Sequence, residues 1–337
     1  MHKASVIIPT HHRPHFLRAA LQSVVDQQGV ELDIIVVADG ANGETEAVVK
    51  EFPSVRYLWQ PQAGPNAARN RATAAAYFDC IALLDDDDLW LPGKMQAQLA
   101  VLDSQPNAAY VFSNFHILRA GHSLQPNGLS TWGIPADDRV VLQQHPLATD
   151  PPSYRVQLYD ALLEHPYVLP TTAIFRRSFL SADIRFVEND SICGDWEFFA
   201  RLSRNHPAIY MPVETACNRS HEEAGRLTRT PDAVQLKCRM NMIDRTWAAD
   251  TEFMASERNR RRVDAVRLHY LLALAKHQLR DDDDDALRAT LQRIETLDIN
   301  VGLAPRLLRV LAGVPGGLSA LRRFEQALRY SRNWLRR

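Results

Sequence analysis

The sequence predicts an α/β protein: a mostly parallel, Rossmann-like sheet flanked by helices, followed by a small C-terminal all-helical region. Three observations carry this. Short, β-branched, nearly all-apolar runs alternate with amphipathic stretches over residues 1–118. Such runs suit strands covered on both faces, and their alternation with helices implies a parallel sheet. From about residue 225 onward helical spacing dominates. We therefore divide the chain into an α/β domain, residues 1–228, and a helical domain, residues 229–337.

The elements follow in order. "ASVIIP" (4–9), "LDIIVVAD" (32–39), "VRYLWQ" (55–60), "CIALLDD" (80–86) and "AYVFSNF" (109–115) read as strands. Between them "PHFLRAALQSVVDQQ" (14–28), "ETEAVVKEF" (44–52), "NAARNRATAAAYF" (66–78) and "PGKMQAQLAVLDS" (92–104) read as helices. Pro14 and Pro92 fall at helix starts, where a missing N–H does no harm. Residues 119–170 are irregular, rich in Pro, Gly, His and Asp, with one expected helix at "YRVQLYDALLE" (154–164). Irregular stretches of that length are often substrate loops. "TTAIFRRSFL" (171–180) and "AIYMPVETA" (208–216) read as strands around the amphipathic helix "GDWEFFARLSRN" (194–205). Two helices are expected at 264–280 and 285–297, with two more after them.

Composition narrows the function. The chain has 337 residues, 46% hydrophobic and 23% charged, with a net charge of −1. That is ordinary for a soluble globular protein, and no overall field drives it onto nucleic acid or membrane. Cys80, Cys193, Cys217 and Cys238 show no CxxC spacing and are expected to be free thiols of a cytoplasmic protein. The N-terminal apolar run stops at Pro9 and is too short for a signal core; no stretch approaches a membrane span.

"IALLDDDDLWLPGK" (81–94) is the anomaly. A strand-like run enters four aspartates, Asp85 to Asp88. Each ionised pair at roughly 5 Å costs about 3 kcal/mol at an effective dielectric near 20. Something positive must sit there if the strand is real. Carboxylates at D-x-D spacing suit a hard divalent cation, which is usually held by one or two of them plus substrate phosphates. The alternative is a solvated acidic turn at a helix start, with Asp88 capping the helix. The acidic run "DDDDD" (281–285) lies between helices and reads as a solvated loop and helix N-terminus; His11, His12 and His15 are too close together for an obvious zinc site.

Taken together, "SVIIPTHHRPHFLRAALQSVVDQQ", "DIIVVADGANGET", "GPNAARNRA", "ALLDDDDLWLPGKM" and "GDWEFFARLS" resemble the successive signatures of family 2 glycosyltransferases of the GT-A fold. The resemblance covers roughly residues 3–225. It implies that Pro9, Thr10 and Arg13 line the nucleoside pocket and that Asp39 meets the base of a uracil-type donor. The family usually has two acids there, and this chain has Ala38 in the first place. Arg69 would face the donor diphosphate, which suits its forked donors. Asp85 and Asp87 would take the outer positions of D-x-D, with Asp87 the first choice of metal ligand and Asp86 facing the sugar or ribose. Asp195 would be the catalytic base; a Gly-Asp pair before a helix is also an ordinary cap. Trp196 packs on a sugar face or fills core. His221, with Arg219 beside it, is a candidate at the metal or an ordinary surface histidine.

The implied activity is an inverting transfer of a sugar from a nucleotide diphosphate sugar, a UDP-sugar first, to an acceptor hydroxyl. Mn²⁺ or Mg²⁺ is the implied cofactor, and a saccharide or lipid-linked acceptor of surface polysaccharide or glycolipid assembly the implied partner. Two rivals remain. A Mg²⁺-dependent nucleotidyltransferase usually has a Gly-rich loop after its first strand, where this chain has "PTHHRPH". A catalytically inactive nucleotide-sugar-binding module would not need Asp195. From Arg306 to Arg337 the chain has eight arginines against Glu325, with Phe324, Tyr330 and Trp334 among them. That stretch is a membrane-surface helix, a partner-docking face or a solvated helix.

Overall fold

The computed structural model describes residues 1–40, 43–119, 123–136, 142–190, 192–220 and 230–299, with positions 310, 312, 314 and 317–319. The chain divides into two compact units, Met1–Leu227 and Thr228–Arg337. In the first unit the elements run β1 (His2–Thr10), α1 (Pro14–Val25), β2 (Val30–Asp39), α2 (Gly43–Lys50), β3 (Val55–Gln60), α3 (Pro65–Ala75), β4 (Cys80–Leu83), β5 (Leu89–Trp90), α4 (Lys94–Asp103) and β6 (Tyr110–Leu118). There follow β7 (Leu124–Gln125), α5 (Gly128–Thr131), β8 (His145–Leu147), β9 (Ser153–Val156), β10 (Ile174–Arg176), α6 (Gly194–Ser203) and β11 (Ala208–Arg219).

The strands form one sheet in the order β3-β2-β1-β4-β10-β6-β11-β9-β8, with β5 added to β11 and β7 to β6. β1 to β4 are parallel neighbours, and β6 runs parallel to β11. Helices flank this sheet, as the alternation of periods predicts. Ala4 to Thr10 of β1 and Asp33 to Asp39 of β2 are buried throughout, the signature of strands covered on both faces. β3 differs because it forms the sheet's edge: four of its six residues are half-buried and Trp59 is exposed. β10 lies antiparallel between β4 and β6, so the sheet is mixed.

The expected helix at 154–164 is a correction. Tyr154, Arg155 and Val156 of β9 instead pair antiparallel with Tyr210, Ile209 and Ala208 of β11, and a single 3-10 turn follows at Ala161–Leu163. The edge of β11 offers backbone partners, and that pairing overrides local helical spacing. The expected strand at 171–180 shrinks to β10, between 3-10 turns at Pro170–Thr172 and Arg177–Phe179. α4 begins at Lys94 rather than at Pro92. None of the four cysteines is in a disulfide, and burial pushes the Cys80 thiol up to about 11.

The second unit is helical in its described residues: α7 (Asp232–Thr246), α8 (Thr251–Met254), α9 (Glu257–Arg280) and α10 (Asp284–Glu295). Its core joins Met240, Ile243 and Trp247 to Val263, Leu271 and Leu274, with Leu287, Leu291 and Ile294 also buried. Asp283 in the second acidic run caps α10, accepting from the Ala286 amide at 3.1 Å. Among the described residues no helix is long and apolar enough to cross a membrane.

Candidate active site

Parallel pairing sets the ends of β1, β2 and β4 side by side. Thr10 pairs with Ala38, and Ile7 with Leu83. The four aspartates follow β4 directly, in a turn closed by the Asp88 amide on the Asp85 carbonyl, 3.0 Å. Two arginines meet them. Arg69 Nη2 lies 2.6 Å from Asp85 Oδ1; Arg13 Nη1 lies 2.9 Å from Asp87 Oδ2 and 3.2 Å from Asp86 Oδ1. Thr10 adds a hydroxyl to Asp86 at 2.7 Å. The positive charge that the sequence demanded is thus supplied, in part, by the chain itself.

The four acids have different environments. Asp88 is 1% exposed. It accepts from the Thr171 hydroxyl at 2.6 Å, the Arg219 amide at 2.9 Å and Asn218 Nδ2 at 3.1 Å. It ties β4 to the 170–172 turn and to the end of β11, so it does not cap α4, whose cap position is Gly93. Burial raises its pKa well above the ordinary carboxylate value, with Asp87 and Asp85 adding to the effect. Burial also pushes Asp86 up to about 7, Asp87 adding to the rise, while Arg13 and Thr10 oppose it. Asp85 and Asp87 keep 27% and 14% of their side-chain surfaces exposed.

Arg69 reaches the site from α3. Pro65 opens that helix after Gly64, whose φ of 90° is a conformation that side chains disfavour. Asn66 in the first turn accepts from Arg69 Nη1 at 2.9 Å and donates to the carbonyls of Val187 and Asp190 at 3.0 and 2.7 Å. It therefore aims the guanidinium and pins the segment that leads into α6. Burial opposes the Arg69 charge, and Asp85 and Asp195 more than restore it. Arg69 Nε is buried without a hydrogen-bond partner.

Asp195 stands in the first turn of α6, one residue inside the helix, and its Oδ1 accepts from the Trp196 amide at 2.8 Å. Burial raises its pKa; Arg69 and the Trp196 N–H pull the other way, and Asp85 adds to the rise. The helix start fits because residue 194 is glycine. A Cβ there would lie 1.9 Å from Asn66 Nδ2. Gly194→Ala is expected to displace Asn66 and to cost about 2 kcal/mol or more, on the scale of overpacked cores. Thermal melting should show a loss of several degrees, and Asn66→Ala in the Gly194→Ala background should recover part of it.

Trp196 fills core: it is 7% exposed and its indole N–H donates to the Leu162 carbonyl at 2.6 Å. Glu197 is fully buried and pairs with Arg201 at 2.7 Å. Asp39, expected at the donor base, uses both carboxylate oxygens on the chain. It accepts from Gln60 Nε2 at 2.9 Å and from the amides of Ala63 and Gly64 at 2.7 and 2.9 Å. It clamps the turn that feeds α3, and Pro9 is buried within β1 beside it. His221 and the basic stretch 306–337 lie outside the described residues, apart from the few positions named above.

Residues 5–181, just over half of the chain, match the family described as Glycosyl transferase family 2. This chain belongs to that family. The glycosyltransferase is 29% identical over 117 residues to the Escherichia coli UDP-Glc:alpha-D-GlcNAc-diphosphoundecaprenol beta-1,3-glucosyltransferase WfgD, a match covering 34% of this chain and 46% of that protein. It is 31% identical over 128 residues to the Campylobacter jejuni GalNAc(5)-diNAcBac-PP-undecaprenol beta-1,3-glucosyltransferase, covering 36% of this chain and 41% of the other. The chain thus spans less than half the length of these curated relatives. The crystal structure of Staphylococcus aureus TarS 1-349 with UDP-GlcNAc superposes at a TM-score of 0.63, with 15% identity, over 98% of this chain and 92% of that one. That likeness is one of fold, the GT-A fold.

In this glycosyltransferase no cluster of three or more His, Cys, Asp or Glu side chains at metal-binding geometry occurs among the described residues. Asp85 and Asp87 nevertheless fit a hard cation. They are partly exposed oxygen donors, and Mg²⁺ commonly takes only one or two carboxylates, completing its shell with phosphate oxygens and water. Asn66, Thr171 and Asn218 are the site residues that sequence reasoning missed. Thr171 and Asn218 act on Asp88 from 83 and 130 positions away, whereas Asn66, inside the quoted "GPNAARN", has a local partner in Arg69 as well as a distant one in Asp190.

Proposed function

We propose that the enzyme transfers a sugar from a UDP-sugar to an acceptor hydroxyl with inversion at the anomeric carbon. The observation that carries this is one buried arginine shared by two acids: Arg69 bonds Asp85 and lies in the field of Asp195. The diphosphate and the reacting hydroxyl then share one small region. The unpartnered Arg69 Nε suits a phosphate oxygen.

Asp195 accepts the acceptor's proton as the new C–O bond forms and the bond from the anomeric carbon to the diphosphate breaks. A raised pKa makes it a stronger base than a free aspartate. Arg69 holds developing charge on the leaving diphosphate, in a site where water screens it poorly. Asp87 and Asp85 would hold Mn²⁺ or Mg²⁺. A bound divalent cation supplies further neutralisation of that leaving group. Four carboxylates against two guanidiniums leave two negative charges when all are ionised, which a divalent ion balances. Thr10 and Arg13 stand on the donor side, with Asp39 shaping the wall. A lipid-linked saccharide is the proposed acceptor, since two relatives carry undecaprenol diphosphate substrates in their names; a peripheral position at a cytoplasmic membrane face follows.

A donor panel with Mn²⁺ and the purified chain tests this. Slow hydrolysis releasing UDP from one UDP-sugar is expected. Pyrophosphate from a sugar phosphate and a nucleoside triphosphate would mark a nucleotidyltransferase instead, and no turnover with tight binding an inactive module.

A further inference from the structure

We propose that Arg13 is a built-in counter-ion of the cation seat, which a divalent ion must displace from Asp87. The inference rests on the metal reading above and concerns what fills that position when no nucleotide is bound. One nitrogen, Arg13 Nη1, lies between Asp87 Oδ2 and Asp86 Oδ1, at 2.9 and 3.2 Å. Asp87 Oδ2 is therefore already paired with a full positive charge. A metal at coordination distance from that oxygen would stand next to the guanidinium, and two cations on one carboxylate oxygen repel.

The two arginines of the site are built differently. Arg69 is 6% exposed and is also held by Asn66. Arg13 sits at the position just before α1 on the loop after β1, its carbonyl fixed by the Leu17 amide at 3.0 Å. Its backbone can stay in place while the long side chain turns. Its side chain is 16% exposed, so it borders solvent. Of the two carboxylates that hold the guanidinium, Asp86 and Asp87, the second is also a proposed ligand of the cation. Both reinforce the guanidinium's ordinary charge against burial.

A diphosphate offers Arg13 a new set of acceptor oxygens. Once it turns to them, Asp87 is released. Donor and cation then enter as a pair, each raising the affinity for the other by the same factor. Without nucleotide Arg13 and Arg69 offset two of the four carboxylate charges, which lessens the repulsion among the adjacent aspartates in a cation-free protein.

The test is a Mn²⁺ titration of the full chain, followed by the paramagnetic resonance of free Mn²⁺, first without nucleotide and then with UDP. Arg13→Gln and Arg13→Met are both expected to bind Mn²⁺ about tenfold tighter than wild type without nucleotide, within the usual range of coupling between sites. Arg13→Lys, which keeps the charge, should stay near wild type. UDP should tighten Mn²⁺ binding more in the wild type than in either neutral variant. Thermal melting reports which variants fold, and either neutral variant suffices. Unchanged or weaker Mn²⁺ affinity in the neutral variants, with UDP-dependent Mn²⁺ binding intact in wild type, overturns the counter-ion alone. Absence of Mn²⁺ binding in every variant, with and without UDP, overturns the metal reading and the counter-ion together.

Discussion

Asp195→Asn is expected to lower turnover about a hundredfold or more, on the scale of losing a general base, while donor affinity should change little. The substitution preserves shape. An amide oxygen can still accept from the Trp196 N–H at the start of α6. What is lost is the capacity to take a proton. The acid side of the pH profile supplies a second readout. Burial raises the Asp195 pKa, and the base works only when ionised. Activity should therefore rise with pH through a midpoint above the ordinary aspartate value. Single-turnover kinetics with saturating donor check both. Normal turnover by the variant would remove Asp195 from this role.

Arg69→Met should do wider damage. The arginine is buried, bonds Asp85 and lies in the field of Asp195. Removing one member of a buried ion pair leaves an uncompensated charge. The expected cost is about 3 kcal/mol, at the low end of such cases because Asp85 keeps 27% of its side chain exposed. Asn66 loses the donor on its carbonyl oxygen as well. Asp195 loses the positive neighbour that restrains its pKa, so the acid limb of the pH profile should move to higher pH. A stability loss without that movement would reduce Arg69 to a structural residue. Denaturant titration and a pH series of kcat separate the outcomes.

Much of this was legible in the chain, for identifiable reasons. β1, β2 and β4 read as strands because burial on both faces leaves no polar face to interrupt the apolar run. The aspartates announced a site because their repulsion demanded partners. The partners of Asp88 were not legible. Thr171 and Asn218, which hold Asp88, lie 83 and 130 positions away, and nothing local to "DDDD" names them. The oxygens of Asp39 meet Gln60, Ala63 and Gly64, contacts that exist only once β2 and β3 pair and that no local pattern shows. "YRVQLYDALLE" failed for a related reason. Its spacing suits a helix, and the free edge of β11 recruits Tyr154, Arg155 and Val156 instead. Where long-range pairing decides, local pattern misleads.

Calorimetry of UDP binding, with Mn²⁺ and then with EDTA, to wild type and Asp87→Asn tests the central claim most directly. Wild type should bind UDP at least about tenfold tighter with Mn²⁺, a difference of 1.4 kcal/mol, and the variant should bind equally weakly in both. Equal UDP affinity with and without Mn²⁺ in wild type, unaltered by the substitution, would contradict the account.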